Sequence, residues 1–166
     1  MAEPAPQPVV VSRAVAAPAE LVWSMVSDLP RMGEWSPENT GGTWLKGATG
    51  PVVGARFKGT NKNGKKSWST SVTVTVCDAP TAFAFKVSSG GLSVATWSYA
   101  IEPTAGANGC TVTETWHDER GWLVKTLGGP VSGVADRDSE HSRRGMEATL
   151  EGLAAAAEAA STTDAG

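Results

Sequence analysis

The sequence predicts an α+β domain in which a curved, seven-stranded antiparallel sheet wraps around one long C-terminal helix, with two short helices after the first strand. Three observations carry this. Hydrophobicity alternates with a period of two from about residue 42 to 119, interrupted by turn chemistry. A proline-free stretch rich in Ala, Glu, Leu and Arg follows Pro130, and a β-branched strand with two short helical segments precedes both. At 166 residues and 40% apolar content the chain supports one core. The expected domain covers 9–160, between disordered tails at 1–8 and 161–166.

Val9 to Val15 is β-branched and follows a proline-rich end, which makes it a strand. Pro18 then opens a short helix with Glu20 near its N-terminus and Leu21, Val22, Met25 and Val26 on one face. A second helical turn, Pro30 to Trp35, stops at Ser36-Pro37. Turn signals at Lys62-Asn63-Gly64, Asp78-Ala79-Pro80, Ser89-Gly90-Gly91 and Ala105 to Gly109 separate strands expected near 43–47, 53–61, 66–77, 81–88, 92–102 and 110–118. The final helix is expected over 131–160. Met146, Leu150, Leu153 and Ala157 form its apolar stripe, Gly145 interrupts it, and its charged first half points at solvent or at a polar feature.

Composition excludes several functions. Net charge is −3 and the 14 Lys and Arg form no run longer than two, so no basic stripe matches a phosphate backbone and no nucleic-acid partner is expected. No stretch is apolar enough to span a bilayer, the N-terminus lacks a signal-peptide pattern, and the cytoplasm is the expected compartment. Cys77 and Cys110 are too few for a zinc site, and His117 and His141 have no tight ligand spacing, so neither metal nor cofactor is expected. The seven tryptophans are unusual for this size and imply a bulky core or a cavity wall.

Several segments resemble the START-like (SRPBCC) superfamily, and within it the bacterial polyketide cyclase/dehydrase and lipid-transport group. They are Ala16-Ala17-Pro18-Ala19-Glu20-Leu21-Val22-Trp23, Asp28-Leu29-Pro30, Gly33-Glu34-Trp35-Ser36-Pro37, Val53 to Phe57, and Thr113-Glu114-Thr115-Trp116. The similarity covers about residues 9–157. It implies the helix-grip fold and a cavity between sheet and helix that receives lipids, polyketides or other hydrophobic molecules, without specifying a reaction.

Alternation then assigns faces. Trp68, Val72, Val74 and Val76 share one parity, as do Phe83, Phe85 and Val87; Val94 stands opposite Trp97, Tyr99 and Ile101; Val112, Glu114 and Trp116 go together. Trp97, Tyr99 and Trp116 should form an aromatic wall across adjacent strands, either as core or as ligand contacts. Glu114 is the most informative residue, because an inward carboxylate must be paired, hydrogen-bonded or protonated. It is read as a polar anchor with Arg56, Tyr99 and His141 as nearby polar groups, against a structural ion pair or an outward turn at a bulge. Met32 and Trp35 are placed at the entrance, residues 61–65 on the rim, and 121–133 as a lid. The expected ligand-binding set is Trp35, Phe57, Trp68, Phe85, Trp97, Tyr99, Glu114, Trp116 and His141. These residues predict binding of a hydrophobic small molecule; the alternatives are a polyketide aromatase/cyclase and a protein-interaction module with a filled interior.

Overall fold

The structure, a computed structural model, describes residues 6–121 and 138–164. The chain starts with β1 (Val9–Val15), helix α1 (Ala19–Val26) and a 3-10 helix (Leu29–Glu34). Six strands follow: β2 (Asn39–Leu45), β3 (Arg56–Asn63), β4 (Lys66–Asp78), β5 (Ala82–Ser89), β6 (Leu92–Pro103) and β7 (Cys110–Asp118). The long helix α2 (Ser139–Thr163) comes last. All seven strands pair antiparallel in one sheet, in the order β1-β7-β6-β5-β4-β3-β2. The first strand therefore docks beside the last, and β1 and β2 form the edges.

Helix α2 packs on β1, β7 and α1 rather than on the whole sheet. Its buried side chains Met146, Thr149, Leu150, Leu153, Ala154 and Ala157 continue the stripe read in the sequence. Glu158 ties it to the start of α1 by accepting a hydrogen bond from the Ala16 amide at 3.0 Å. From the other side, α1 buries Ala19, Val22, Met25 and Val26, and the Trp23 indole donates to the Ala82 carbonyl of β5 at 2.9 Å. The 3-10 helix is held against α2 by Trp35: a Cβ on Gly152 would lie 3.0–3.2 Å from the Trp35 backbone and Cβ. Glycine is what lets the two backbones approach this closely.

Local geometry explains the differences from the expected boundaries. β2 starts at Asn39 rather than near 43, because Gly41 and Gly42, at positive φ across a register shift, hide the alternation. Gly42 is required there, since a Cβ would lie 2.1 Å from the Lys58 carbonyl. β3 starts at Arg56 rather than 53, after a turn through Gly54 that leaves Val52 and Val53 exposed. Ser161 to Thr163, assigned to a tail, are the last turn of α2; the Thr162 and Thr163 hydroxyls donate to the Ala159 carbonyl. The expected helix start at Val131 lies outside the described residues, and Asp138 caps the described start by accepting from the His141 amide.

Two parity assignments fail at β-bulges. A register shift between Val87 and Ser88 pairs Val87 with Ala95 and Ser88 with Ser93, so Val94 turns to the same side as Ala95 and Trp97 instead of opposite. A second shift between Val74 and Val76 takes Val76 out of the buried row. β7 has no bulge, and Glu114 faces inward with 1% of its surface exposed.

Candidate functional site

Among the described residues, α2 covers only part of the concave face and leaves a hollow beside it. Among the described residues, a cavity of about 510 Å³ lies between the N-terminal half of α2 and the sheet. The wall is apolar: Phe57 from β3, Trp68 and Val72 from β4, Phe85 and Val87 from β5, Trp97 from β6, and Trp116 from β7. Trp97 and Trp116 are direct cross-strand partners with ring centroids 6.3 Å apart, and Trp97 also faces Phe85 in register. Of the wall of Trp97, Tyr99 and Trp116 expected from alternation, the two tryptophans meet ring to ring.

Tyr99 and Glu114 are also cross-strand partners, and they carry the polar chemistry at the deep end. The Tyr99 hydroxyl donates to Glu114 Oε1 at 2.9 Å, with both side chains buried. Burial pushes the Glu114 carboxyl up to about 8, and the Tyr99 hydrogen bond only partly opposes this. Burial, with the adjoining carboxyl, raises the Tyr99 phenol well above its ordinary value. At neutral pH the pair therefore holds a protonated acid and a neutral phenol. Glu114 Oε2 has no hydrogen-bond partner among the described residues, and neither does the Oγ of Ser142, which is 1% exposed and lines the same cavity from α2. Buried polar atoms are almost always paired, so two orphans on side chains that line one cavity mark a place for a ligand's polar group.

The mouth is more polar, with exposed Lys62, Asn63 and Arg144. His141 and Glu38 face each other across it, Nε2 to Oε1 at 2.6 Å, and Asn63 donates to the same carboxyl at 3.1 Å. Arg120 lies over the Trp116 ring, and its guanidinium is held by Asp118 through contacts of 2.7 and 2.8 Å.

Phe57, Trp68, Phe85, Trp97, Tyr99, Glu114, Trp116 and His141 all line the cavity; Trp35 does not. Its ring is buried as the anchor between the 3-10 helix and Gly152, while Met32, assigned with it to the entrance, does line the interior. Arg56 is not near Glu114 either, since it points to solvent from the opposite face of β3. His141 bonds to Glu38 at the mouth instead of joining the deep carboxyl. The lid expected at 121–133 falls, apart from Gly121, outside the described residues. Sequence reasoning missed Ser142 and Arg120. Ser142 sits four residues before Met146 on the apolar stripe, which was a usable signal; Arg120 follows the end of β7 and had none.

Among the described residues no helix is long and apolar enough to cross a membrane, and no group of three His, Cys, Asp or Glu is placed to hold a metal. The model of the polyketide cyclase/dehydrase and lipid transport family matches residues 6–158. A polyketide-cyclase-like protein of Corynebacterium glutamicum is 29% identical, with 90% of this chain and 91% of that one aligned and a TM-score of 0.56. A START superfamily protein of Mycobacterium smegmatis is 21% identical over 94% and 97% of the two chains, with a TM-score of 0.62. A Chromobacterium violaceum protein is 14% identical over 92% and 99%, with a TM-score of 0.67. Comparison with curated proteins gives no match. With the hollow between sheet and helix and nearly the whole chain matched, and with the fold shared with a START superfamily protein, this protein belongs to the polyketide cyclase/dehydrase and lipid transport family.

Proposed function

We propose that the protein binds a small hydrophobic molecule, lipid-like or polyketide-like, in the cavity under α2. The observation that carries this reading is an aromatic-walled hollow of about 510 Å³ lined by two side chains with unpartnered polar atoms. Its size and its balance of apolar wall to few polar groups are those of a small-molecule site. Affinity comes from apolar burial, at ~25 cal/mol per Å² removed from water, and orientation from Glu114. The test is fluorescence titration with N-phenyl-1-naphthylamine, a neutral dye that brightens in apolar surroundings. Wild type brightens it saturably, and Thr70→Trp, which fills the hollow from β4, stays folded and does not. Equal brightening by both proteins would place the dye elsewhere and remove the support for this reading.

A second reading is a cyclase or dehydratase acting on a polyketide-like substrate, and the Tyr99–Glu114 contact, in the cavity that Ser142 also lines, favours it. A protonated acid and a neutral phenol in an apolar site are the groups that proton transfer to and from a carbonyl compound requires. Turnover of a poly-β-ketone analogue by wild type, lost in Glu114→Gln with dye binding intact, separates this reading from binding alone. The interaction-module alternative required an interior filled by side chains, which the cavity does not support.

A further inference from the structure

Glu114 and Ser142 line the cavity from two elements, β7 and α2, and Glu114 Oε2 and Ser142 Oγ are both buried without a partner among the described residues. Their hydrogen-bonding capacity can be counted. Glu114 Oε1 already accepts from the Tyr99 hydroxyl, so the carboxyl proton belongs on Oε2, as an unused donor. The Ser142 hydroxyl makes no bond within its helix, unlike Thr149 on the same face, which donates to the Gly145 carbonyl at 2.8 Å. It therefore offers a second unused donor. Two donors and no obligatory acceptor describe a receptor for one oxygen with two lone pairs and no proton of its own.

We infer that Glu114 and Ser142 form a two-donor site that binds an uncharged carbonyl oxygen, as of a ketone or ester, on an otherwise apolar ligand. The inference rests on the binding reading above and names the group that sets its specificity. It makes Glu114 a charge-state reader as well as an anchor. As the protonated acid it donates to the carbonyl; as the carboxylate it presents a lone pair to another lone pair and repels it. The other titratable groups lining the hollow are Glu38, Lys62, Tyr99, Arg120, His141 and Arg144. Of these Tyr99 touches Glu114, Arg120 is neutralised by Asp118, and His141 is bonded to Glu38 at the mouth. Loss of the preference for carbonyl ligands should therefore follow Glu114 itself, as pH rises from 7 to 9.

The experiment compares two probes of nearly the same shape, 2-acetonaphthone and 2-ethylnaphthalene, as competitors of N-phenyl-1-naphthylamine on the full chain. At pH 6 the ketone should bind about tenfold more tightly, the effect of two net hydrogen bonds of ~0.5–1.5 kcal/mol each. At pH 9 the advantage should shrink toward parity in wild type. It should persist in Glu114→Gln, whose amide accepts from Tyr99 and donates to the ligand at every pH. Ser142→Ala should lose several-fold in ketone affinity and nothing in hydrocarbon affinity. Equal binding of both probes at pH 6 would overturn the two-donor site and leave the binding reading standing. Failure of both probes to displace the dye would overturn the two together.

Discussion

Glu114 links stability to the same proton that the ligand would feel. Its carboxyl titrates near 8 in the folded chain against about 4.5 when exposed, so the native state binds more protons than the unfolded state between those values. Stability from this residue is therefore complete below about 4.5, falls by ~1.4 kcal/mol per pH unit above it, and is gone above about 8. Glu114→Gln should remove that slope: measured by urea unfolding, the variant gains on wild type by roughly 4 kcal/mol between pH 5 and pH 9. A constant difference across that range would mean that Glu114 ionises normally. Tyr99→Phe takes away the one hydrogen bond that opposes burial, so it should raise the Glu114 pKa further and cost ~1–3 kcal/mol at pH 7 through the orphaned Oε1. Both residues were legible in the sequence because β7 and the C-terminal part of β6 keep strict alternation. Val94 was misplaced because one inserted residue flips parity, and nothing in the local composition marks that bulge.

At the scale of elements, α2 carries two glycines with opposite roles. Gly152 touches the Trp35 backbone, whereas a Cβ on Gly145 would meet nothing within 4 Å among the described residues. Gly145→Ala should therefore stabilise the fold by ~0.5–1 kcal/mol through helix propensity alone. Gly152→Leu should destabilise it by ~1–3 kcal/mol despite the same propensity gain, because the 3-10 helix must move away. Thermal unfolding of the two variants checks the pair, and a Gly152→Leu protein melting above wild type would show that the junction is loose. The stripe from Met146 onward was readable as the packed half of α2, and the charged first half as facing solvent or a polar feature. Both occur: Glu140 and Arg143 are exposed, while His141 and Arg144 line the cavity mouth. The anchoring role of Trp35 was not readable, since a tryptophan before Ser-Pro fits an entrance cap and a core anchor equally well, and only the Gly152 approach decides between them.

Over the whole molecule, strand order and helix placement follow from patterning, because four turn signals and one long stripe leave few ways to bury both faces. The hollow follows from a mismatch that no pattern states directly: a seven-stranded concave face is longer than the apolar part of one helix. Sequence indicated that space would remain, and its extent depends on how the wall tryptophans point. In the function proposed above, a small apolar molecule fills this space. Native mass spectrometry of the purified protein, with organic extraction of what stays bound, tests it most directly. The expected result is a defined apolar species at near-stoichiometric occupancy, absent from Thr70→Trp and from a Trp97→Glu variant that still folds. A clean apo mass for wild type from several expression hosts, together with no saturable uptake of a neutral apolar dye, would contradict it.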